Sequence, residues 1–404
     1  MDFSSAEPPT VCHVVAMPFP GRGHIDPMMN LCNNIRFASI PNVVLPERLK
    51  AVDFPGFYEA TTTKMEAPFE QLLDRLEPPV DAILGDVELM WAIGVGNRRN
   101  IPVASVWTMP AAFFSMLHHY DLFARNRHLL QHADHIPGLS STQVDDLQTI
   151  FNENDHRVLH LAMECISKVP KAQYLLLTSV YEIEPQTIDT LNAIFSFPVY
   201  PIGPAIPYLE LEDNSSITTS HNDPNYLQWL DSQSTGSILY ISLGSFLSVS
   251  GAQMDEIVVG LRNSDVRFLW VARGEASRLK ESCGDMGLVV PWCDQLKVLC
   301  HPSIGGFWTN CGWNSTLESI FAGIPMLTFP LVKRSKVGSE MFVTKEEISE
   351  LVQRFMNVES GESKELRERA RGLKDICHQA IIEGGSSYTN LDAFVESIAL
   401  SHNH

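Results

Sequence analysis

Short β-branched apolar runs alternate with helical stretches along almost the whole chain, and that alternation leaves few folds open. It is the sequence form of parallel sheets with helices on both faces. In the first half, strands are expected over residues 11–17, 35–40, 81–85, 102–108 and 173–179, and helices over 88–99, 111–127 and 182–195. Between 201 and 225, Pro, acidic and Ser/Thr residues replace any periodic pattern, which reads as a linker. A second alternation follows, with strands over 237–243, 267–272, 288–291, 303–309 and 325–330 and helices over 252–263, 294–300 and 314–322. Three amphipathic helices, 345–356, 364–382 and 388–401, then follow with no strand between them. The expectation is an α/β chain of two doubly wound domains facing a cleft. The first spans 1–205, a linker 206–225, the second 226–385, and a last segment, 386–404, returns to the first domain.

Composition narrows the function classes. With 404 residues, 45% hydrophobic and 19% charged, the chain is too apolar for disorder and long enough for more than one core. Its 29 basic against 48 acidic residues give a formal charge of −19 without a basic cluster, which argues against nucleic acid or an anionic membrane as partner. No apolar stretch approaches the roughly 18 residues a membrane span needs. The first ten residues carry Asp2 and Glu7 and no basic residue ahead of an apolar run, so a secretory signal is not expected and the cytoplasm is the default compartment. Eight cysteines without a CxxC read as reduced thiols. Cys293, Cys300, His301 and Cys311 lack the paired short loops of a structural zinc site, so no metal is expected. A monomer is the expected state.

Gly21-Arg22-Gly23-His24-Ile25 stands between a strand and a helix but lacks the third glycine of a dinucleotide fingerprint, which disfavours an NAD-dependent oxidoreductase. No GxxxxGK[ST] sequence occurs, and Gly94-Val95-Gly96 falls inside a helical pattern. What the turn does offer is His24, at the carboxyl end of the first strand, where open parallel sheets place their ligands. A neutral imidazole works as a base when a carboxylate holds its other nitrogen, and Asp86 follows a strand at the same sheet edge. The alternative is a His24 that caps a helix and an Asp86 in solvent.

The richest segment runs Trp292-Cys293-Asp294-Gln295, then His301-Pro302, then Gly305-Gly306-Phe307-Trp308-Thr309-Asn310-Cys311-Gly312-Trp313-Asn314-Ser315-Thr316-Leu317-Glu318. It resembles the nucleotide-sugar signature of plant family 1 UDP-glycosyltransferases, which have the GT-B fold of two Rossmann-like domains. Pro18 to His24 and Leu243-Gly244-Ser245 share the resemblance, so it spans most of the chain. By itself, Trp292 offers an indole face to a planar base. The amide of Gln295 and the carboxylate of Glu318 suit hydroxyls, and the helix opening at Asn314 and Ser315 presents N–H groups to an anion. Phe307 and Trp308 read as core.

The resemblance implies uracil on Trp292, ribose on Gln295 and Glu318, and diphosphate on Ser245, His301 and the Asn314–Ser315 helix start. Cys293 and Trp313 fall inside the same donor segment, Trp313 chiefly through its backbone, and Thr108 matches a position that reaches the sugar. His24, oriented by Asp86, would deprotonate a small lipophilic acceptor for inverting transfer of a hexose, glucose first, from a UDP-sugar co-substrate. No metal is needed where a helix N-terminus and His301 face the leaving diphosphate.

Two departures from the family stand out. After Leu331 the chain reads Val332-Lys333-Arg334-Ser335-Lys336, without the acidic-Gln pair that binds sugar hydroxyls. After Asn33-Asn34 it leads straight into 35–40, as if one βα unit were lost. Asn310 also stands where the family more often has His. These gaps admit, as the alternative, a non-catalytic or impaired relative that still binds UDP or acceptor. The residues that would name the acceptor, such as Phe113, Phe114, Met116, His118 and His119, suit many phenols and terpenoids.

Overall fold

The computed structural model describes residues 12–32, 35–40, 53–120, 156–212, 225–244, 251–272, 276–328 and 343–401. It divides into two compact units, one of residues 1–205 with 380–404 and the other of residues 206–379.

Unit 1 is built on a five-stranded parallel sheet in the order β1 (Val14–Met17), β2 (Ala82–Asp86), β3 (Val103–Trp107), β4 (Tyr174–Leu177), β5 (Val199–Pro201). Its helices are α1 (Arg22–Asn30), α2 (Phe54–Lys64), α3 (Glu66–Leu73), α4 (Trp91–Arg99), α5 (Ala111–His118), α6 (His156–Lys168) and α7 (Pro185–Ile194). β2 and β3 are buried at every residue, as strands in the middle of a parallel sheet with both faces covered must be. Helix ends follow local chemistry. Asp53 caps α2 by accepting the Gly56 N–H at 2.9 Å, and α4 stops at Asn100, whose φ of 55° is the left-handed cap conformation.

Unit 2 contains α8 (Leu209–Glu212), α9 (Asn225–Asp231) and a second five-stranded parallel sheet. The strands are β6 (Ile238–Ser242), β7 (Arg267–Val271), β8 (Gly287–Val290), β9 (Ile304–Thr309) and β10 (Met326–Thr328), in the order β10-β9-β6-β7-β8. Between them run α10 (Gly251–Asn263), α11 (Ala276–Cys283), α12 (Gln295–Leu299) and α13 (Trp313–Ala322), followed by α14 (Lys345–Met356) and α15 (Gly361–Ile381). Thr344 and Glu347 form a reciprocal capping box at the start of α14, whose Ile348, Val352 and Phe355 enter the core at helical spacing. Phe355 lies so close to β9 that a Cβ on Gly306 would stand 2.3 Å from its ring, so only glycine fits there.

The last helix, α16 (Ser386–Ser401), belongs to unit 1. Phe394 and Ile398 join Met28 of α1 against Leu84, Val106 and Leu176, so α1 and α16 cover one sheet face. α2 to α7 pack in the clusters of the other face.

Two expectations fail. The run 35–40 forms no strand, and Phe37 within it is 82% exposed. Arg36 and Ser39 interrupt its apolar residues and Pro41 follows, so the run has little to gain from a ladder. β5 arises where none was expected, because prolines at 198 and 201 hide its pattern, and proline is tolerated on an edge strand. The expected helix end at 121–127, residues 329–330 of the expected last strand, and residues 332–336 lie outside the described residues.

Phe394 is 4% exposed and meets the rings of Tyr174 at 5.5 Å and Tyr200 at 5.9 Å. Phe394→Ala should cost about 3–5 kcal/mol. Hydrogen exchange should then accelerate in β4 and β5 while β6 and β9 keep their protection; equal acceleration in both sheets would detach α16 from this role.

Candidate active site

In unit 1 the strands follow one another in chain order, and three neighbouring strand ends bring three side chains together. His24 opens α1 just after β1, Asp86 is the last residue of β2, and Thr108 follows β3. His24 Nδ1 lies 2.8 Å from Asp86 Oδ2 and 3.0 Å from Thr108 Oγ1. A carboxylate only accepts, so Nδ1 carries the proton and the basic lone pair is on Nε2. Asp86 is 3% exposed, and its Oδ1 accepts the Glu88 N–H at 3.0 Å, so the carboxylate is held from both sides. The Phe19 ring packs 5.1 Å from the imidazole. His24 is therefore neither a helix cap nor beside a solvated loop Asp. Thr108, expected to reach the sugar, is 3% exposed, and its hydroxyl oxygen accepts from the same His24 N–H that Asp86 holds.

Several of the suggested acceptor-lining residues belong to the core. Phe114 is fully buried and Met116 is 8% exposed. The His118 ring stands against Phe114 and Phe195, and burial lowers its pKa from the ordinary value.

In unit 2, β6 lies between β7 and β9: the chain moves outward through β7 and β8, then returns to β9 and leaves toward β10. The loops leaving the carboxyl ends of β6 and β9 diverge, the switch point at which open parallel sheets bind ligands. Gly244, after β6, has φ +87°, and a Cβ there would stand 2.3 Å from Asn310 Nδ2. After β9, Cys311 adopts φ 59°, a left-handed conformation that costs a non-glycine residue about 1–2 kcal/mol. This turn leads through Gly312 into α13. The helix start has no side-chain cap and no acidic residue in its first turn, so the N–H groups at Trp313, Asn314 and Ser315 keep the anion-binding character of a helix N-terminus.

Around this edge stand the other donor-segment residues. Trp292 follows β8 and is 52% exposed. Gln295 begins α12, and its Nε2 donates to Glu318 Oε2 at 2.6 Å and to Ser315 Oγ at 2.9 Å. Tyr240 of β6, not singled out from the sequence, donates to Gln295 Oε1 at 3.1 Å. Its alternation with Leu239 and Ile241 on an apolar strand marked it only as core. Cys293 is 6% exposed with Sγ 3.3 Å from the Tyr240 hydroxyl, so its side chain faces the interior rather than a ligand. Trp313 is half-buried, and its indole Nε1 is buried with no hydrogen-bond partner among the described residues. Asn310, set aside above as a departure, stands at the carboxyl end of β9 beside Gly244, and its place directly after the strand was the available signal.

His301 is not with them. α12 runs from the carboxyl edge of the sheet back to the other edge, so His301 emerges before β9 begins, while Asn314 follows its end. Six strand residues span about 20 Å. The Ser303 N–H donates to His301 Nδ1 at 3.2 Å, and Nε2 faces Asp231 Oδ1 at 3.1 Å. The ring clasps α9 to the start of β9 and does not face the α13 start. Ser245 lies outside the described residues.

Glu88 adds a feature to unit 1. It is 6% exposed, and its Oε2 has no hydrogen-bond partner among the described residues. Burial pushes its carboxyl up to about 7, with the nearby His24 acting in the opposite direction. Between an ordinary value of 4.5 and about 7 the folded chain holds a proton that the unfolded chain has released, so stability falls as pH rises through that window. Glu88→Gln should remove the fall, leaving stability equal at pH 4 and higher by roughly 3 kcal/mol at pH 8. Denaturant midpoints across pH check this, and parallel profiles for the two proteins would assign the slope to other groups.

The chain is similar to known proteins over nearly all of its length. A family model described as UDP-glucoronosyl and UDP-glucosyl transferase matches residues 94–361. UDP-glycosyltransferase 87A2 of Arabidopsis thaliana is 45% identical, the match covering 98% of this chain and 99% of that one. That alignment runs over 455 positions, 51 more than the chain's 404 residues, so at least that many positions of the relative have no counterpart here. The 7-deoxyloganetin glucosyltransferase of Gardenia jasminoides is 30% identical, over 95% of this chain and 97% of that one. Phytolacca americana UGT2, solved with UDP-2fluoro-glucose and pterostilbene, superimposes with a TM-score of 0.76 at 24% identity, covering 96% of this chain and 100% of that one. The chain belongs to the plant family 1 UDP-glycosyltransferases, enzymes of the GT-B fold whose co-substrate is a UDP-sugar.

Proposed function

We propose that the chain transfers glucose from UDP-glucose, with inversion, to a hydroxyl of a small lipophilic acceptor. The observation that carries this is the His24–Asp86 pair, an imidazole whose protonated nitrogen is fixed by a buried carboxylate. The acceptor proton passes to His24 Nε2 as its oxygen attacks the anomeric carbon. The bond from that carbon to the phosphate oxygen breaks, and UDP leaves. One displacement inverts the configuration. Asp86 stabilises the imidazolium, and Thr108 helps to hold the ring.

Unit 2 supplies the donor site. Trp292 stacks the uracil, Glu318 accepts from the ribose hydroxyls, and the first turn of α13 receives the diphosphate. The Asn310 amide stands at the same strand end as a further donor. Glucose is favoured over other hexoses by the names of relatives such as the Gardenia glucosyltransferase, and a lipophilic acceptor by the pterostilbene held by the Phytolacca enzyme. Eight free cysteines and the absence of any helix among the described residues long and apolar enough to cross a membrane accord with a cytosolic setting, in which we take the protein to act as a monomer.

The test is glucosylation of a panel of phenols and terpenoid alcohols, following UDP release and product anomer. A β-glucoside should form from the α-linked donor. His24→Ala should lower kcat by about 10²–10⁴ with UDP affinity kept, and Asp86→Asn should act in the same direction but less severely. Trp292→Ala should instead weaken UDP binding by roughly 1–3 kcal/mol. Loss of UDP affinity in the His24 and Asp86 variants equal to their loss of rate would contradict the division of roles.

A further inference from the structure

Glu318 faces ribose in the reading above, yet its carboxylate does not stand alone. The Gln295 amide donates to Glu318 Oε2 at 2.6 Å and to Ser315 Oγ at 2.9 Å, which commits both hydrogens of Nε2. Because a carboxylate only accepts, the amide nitrogen must face it, and Oε1 is left to take a donor from the other side. That donor is the phenol of Tyr240, 3.1 Å away. The phenol has one hydrogen, so the Cys293 thiol, 3.3 Å from the same oxygen, donates to it. Tyr240 is 1% exposed and stacks on Phe307 of β9 at 5.0 Å and 18°. Burial, with Cys293 and Glu318 nearby, raises its pKa well above the ordinary value against the opposing effect of a hydrogen bond with the Ser242 side chain, so it remains a donor. A polar chain therefore runs from β6 through the start of α12 to α13 inside an otherwise apolar layer.

We infer that Tyr240 is a positioning residue for the donor nucleotide: its phenol fixes the Gln295 amide, and through it turns the Glu318 carboxylate to receive the ribose hydroxyls. The inference rests on the donor-site reading. Without the phenol, Oε1 becomes a buried acceptor with one donor fewer, and the amide is no longer held from the side opposite Glu318. A shift of the amide toward another donor would take Nε2 from Glu318 Oε2 and release the carboxylate from its orientation. Such buried networks gain their effect from complete satisfaction of every member.

Calorimetric titration of the full chain with UDP and with 2′,3′-dideoxy-UDP tests this. The unaltered chain should bind UDP more tightly than the dideoxy analogue, by about tenfold or more. Tyr240→Phe, which keeps the ring and its stacking, should lower UDP affinity by about five- to tenfold and leave affinity for the dideoxy analogue unchanged. In a Glu318→Ala background the same substitution should have no further effect. Should Tyr240→Phe lack a cooperative thermal transition, Gln295→Met must reproduce the loss of ribose discrimination. Equal weakening of both ligands, or discrimination unchanged in the variant, overturns the inference while leaving the donor site standing. Absence of UDP binding by the unaltered chain overturns both.

Discussion

The parallel register of β6 against β9 is the constraint on which the donor half depends. Ile241 stands opposite Trp308 and Ser242 opposite Thr309, so the loop at Gly244 and the turn at Asn310–Gly312 leave the sheet at the same level. A slip of one residue would turn Tyr240 to the other face and remove the phenol from Gln295. The apolar faces set the register: Leu239 and Ile241 point into one core and Ile238 and Tyr240 into the other. Apolar packing thereby decides where the Glu318 carboxylate and the start of α13 stand.

Unit 1 meets a different demand with different means. Its strands keep chain order, so no switch point arises, and its functional groups come from the ends of successive neighbours. The ladder pairs Met17 with Gly85 and Asp86 with Val106, which carries the turn to His24, the carboxylate of Asp86 and the start of Thr108 to one edge. A carboxylate as buried as Asp86 is unfavourable without partners. His24 and the Glu88 N–H provide them, so the geometry that orients the base also makes the buried charge tolerable.

Much of this was legible in the sequence because it rests on local chemistry. Buried strands such as 238–242 and 304–309 are short runs rich in apolar and aromatic residues, and the Trp292–Glu318 segment carries too many polar and aromatic positions in order to be core alone. Three kinds of feature were not legible. A residue whose importance lies in a partner distant in sequence, as Tyr240 with Gln295, reads as core. The end of the sheet at which a residue emerges depends on how far the preceding helix runs, which is why His301 fell among the phosphate residues although α12 carries it to the far edge. Strand content at a sheet margin depends on a neighbour, so 35–40 and Val199–Pro201 exchanged places between expectation and structure.

The central claim is that the nucleotide sits at the switch point of the second sheet. Hydrogen exchange of the intact chain with and without saturating UDP measures it most directly. The account predicts slowed exchange confined to Trp292–Gln295 and Asn310–Glu318, with the amides at the ends of β1, β2 and β3 unchanged. Protection centred on His24, Asp86 and Thr108 instead, or none at the start of α13, would contradict it.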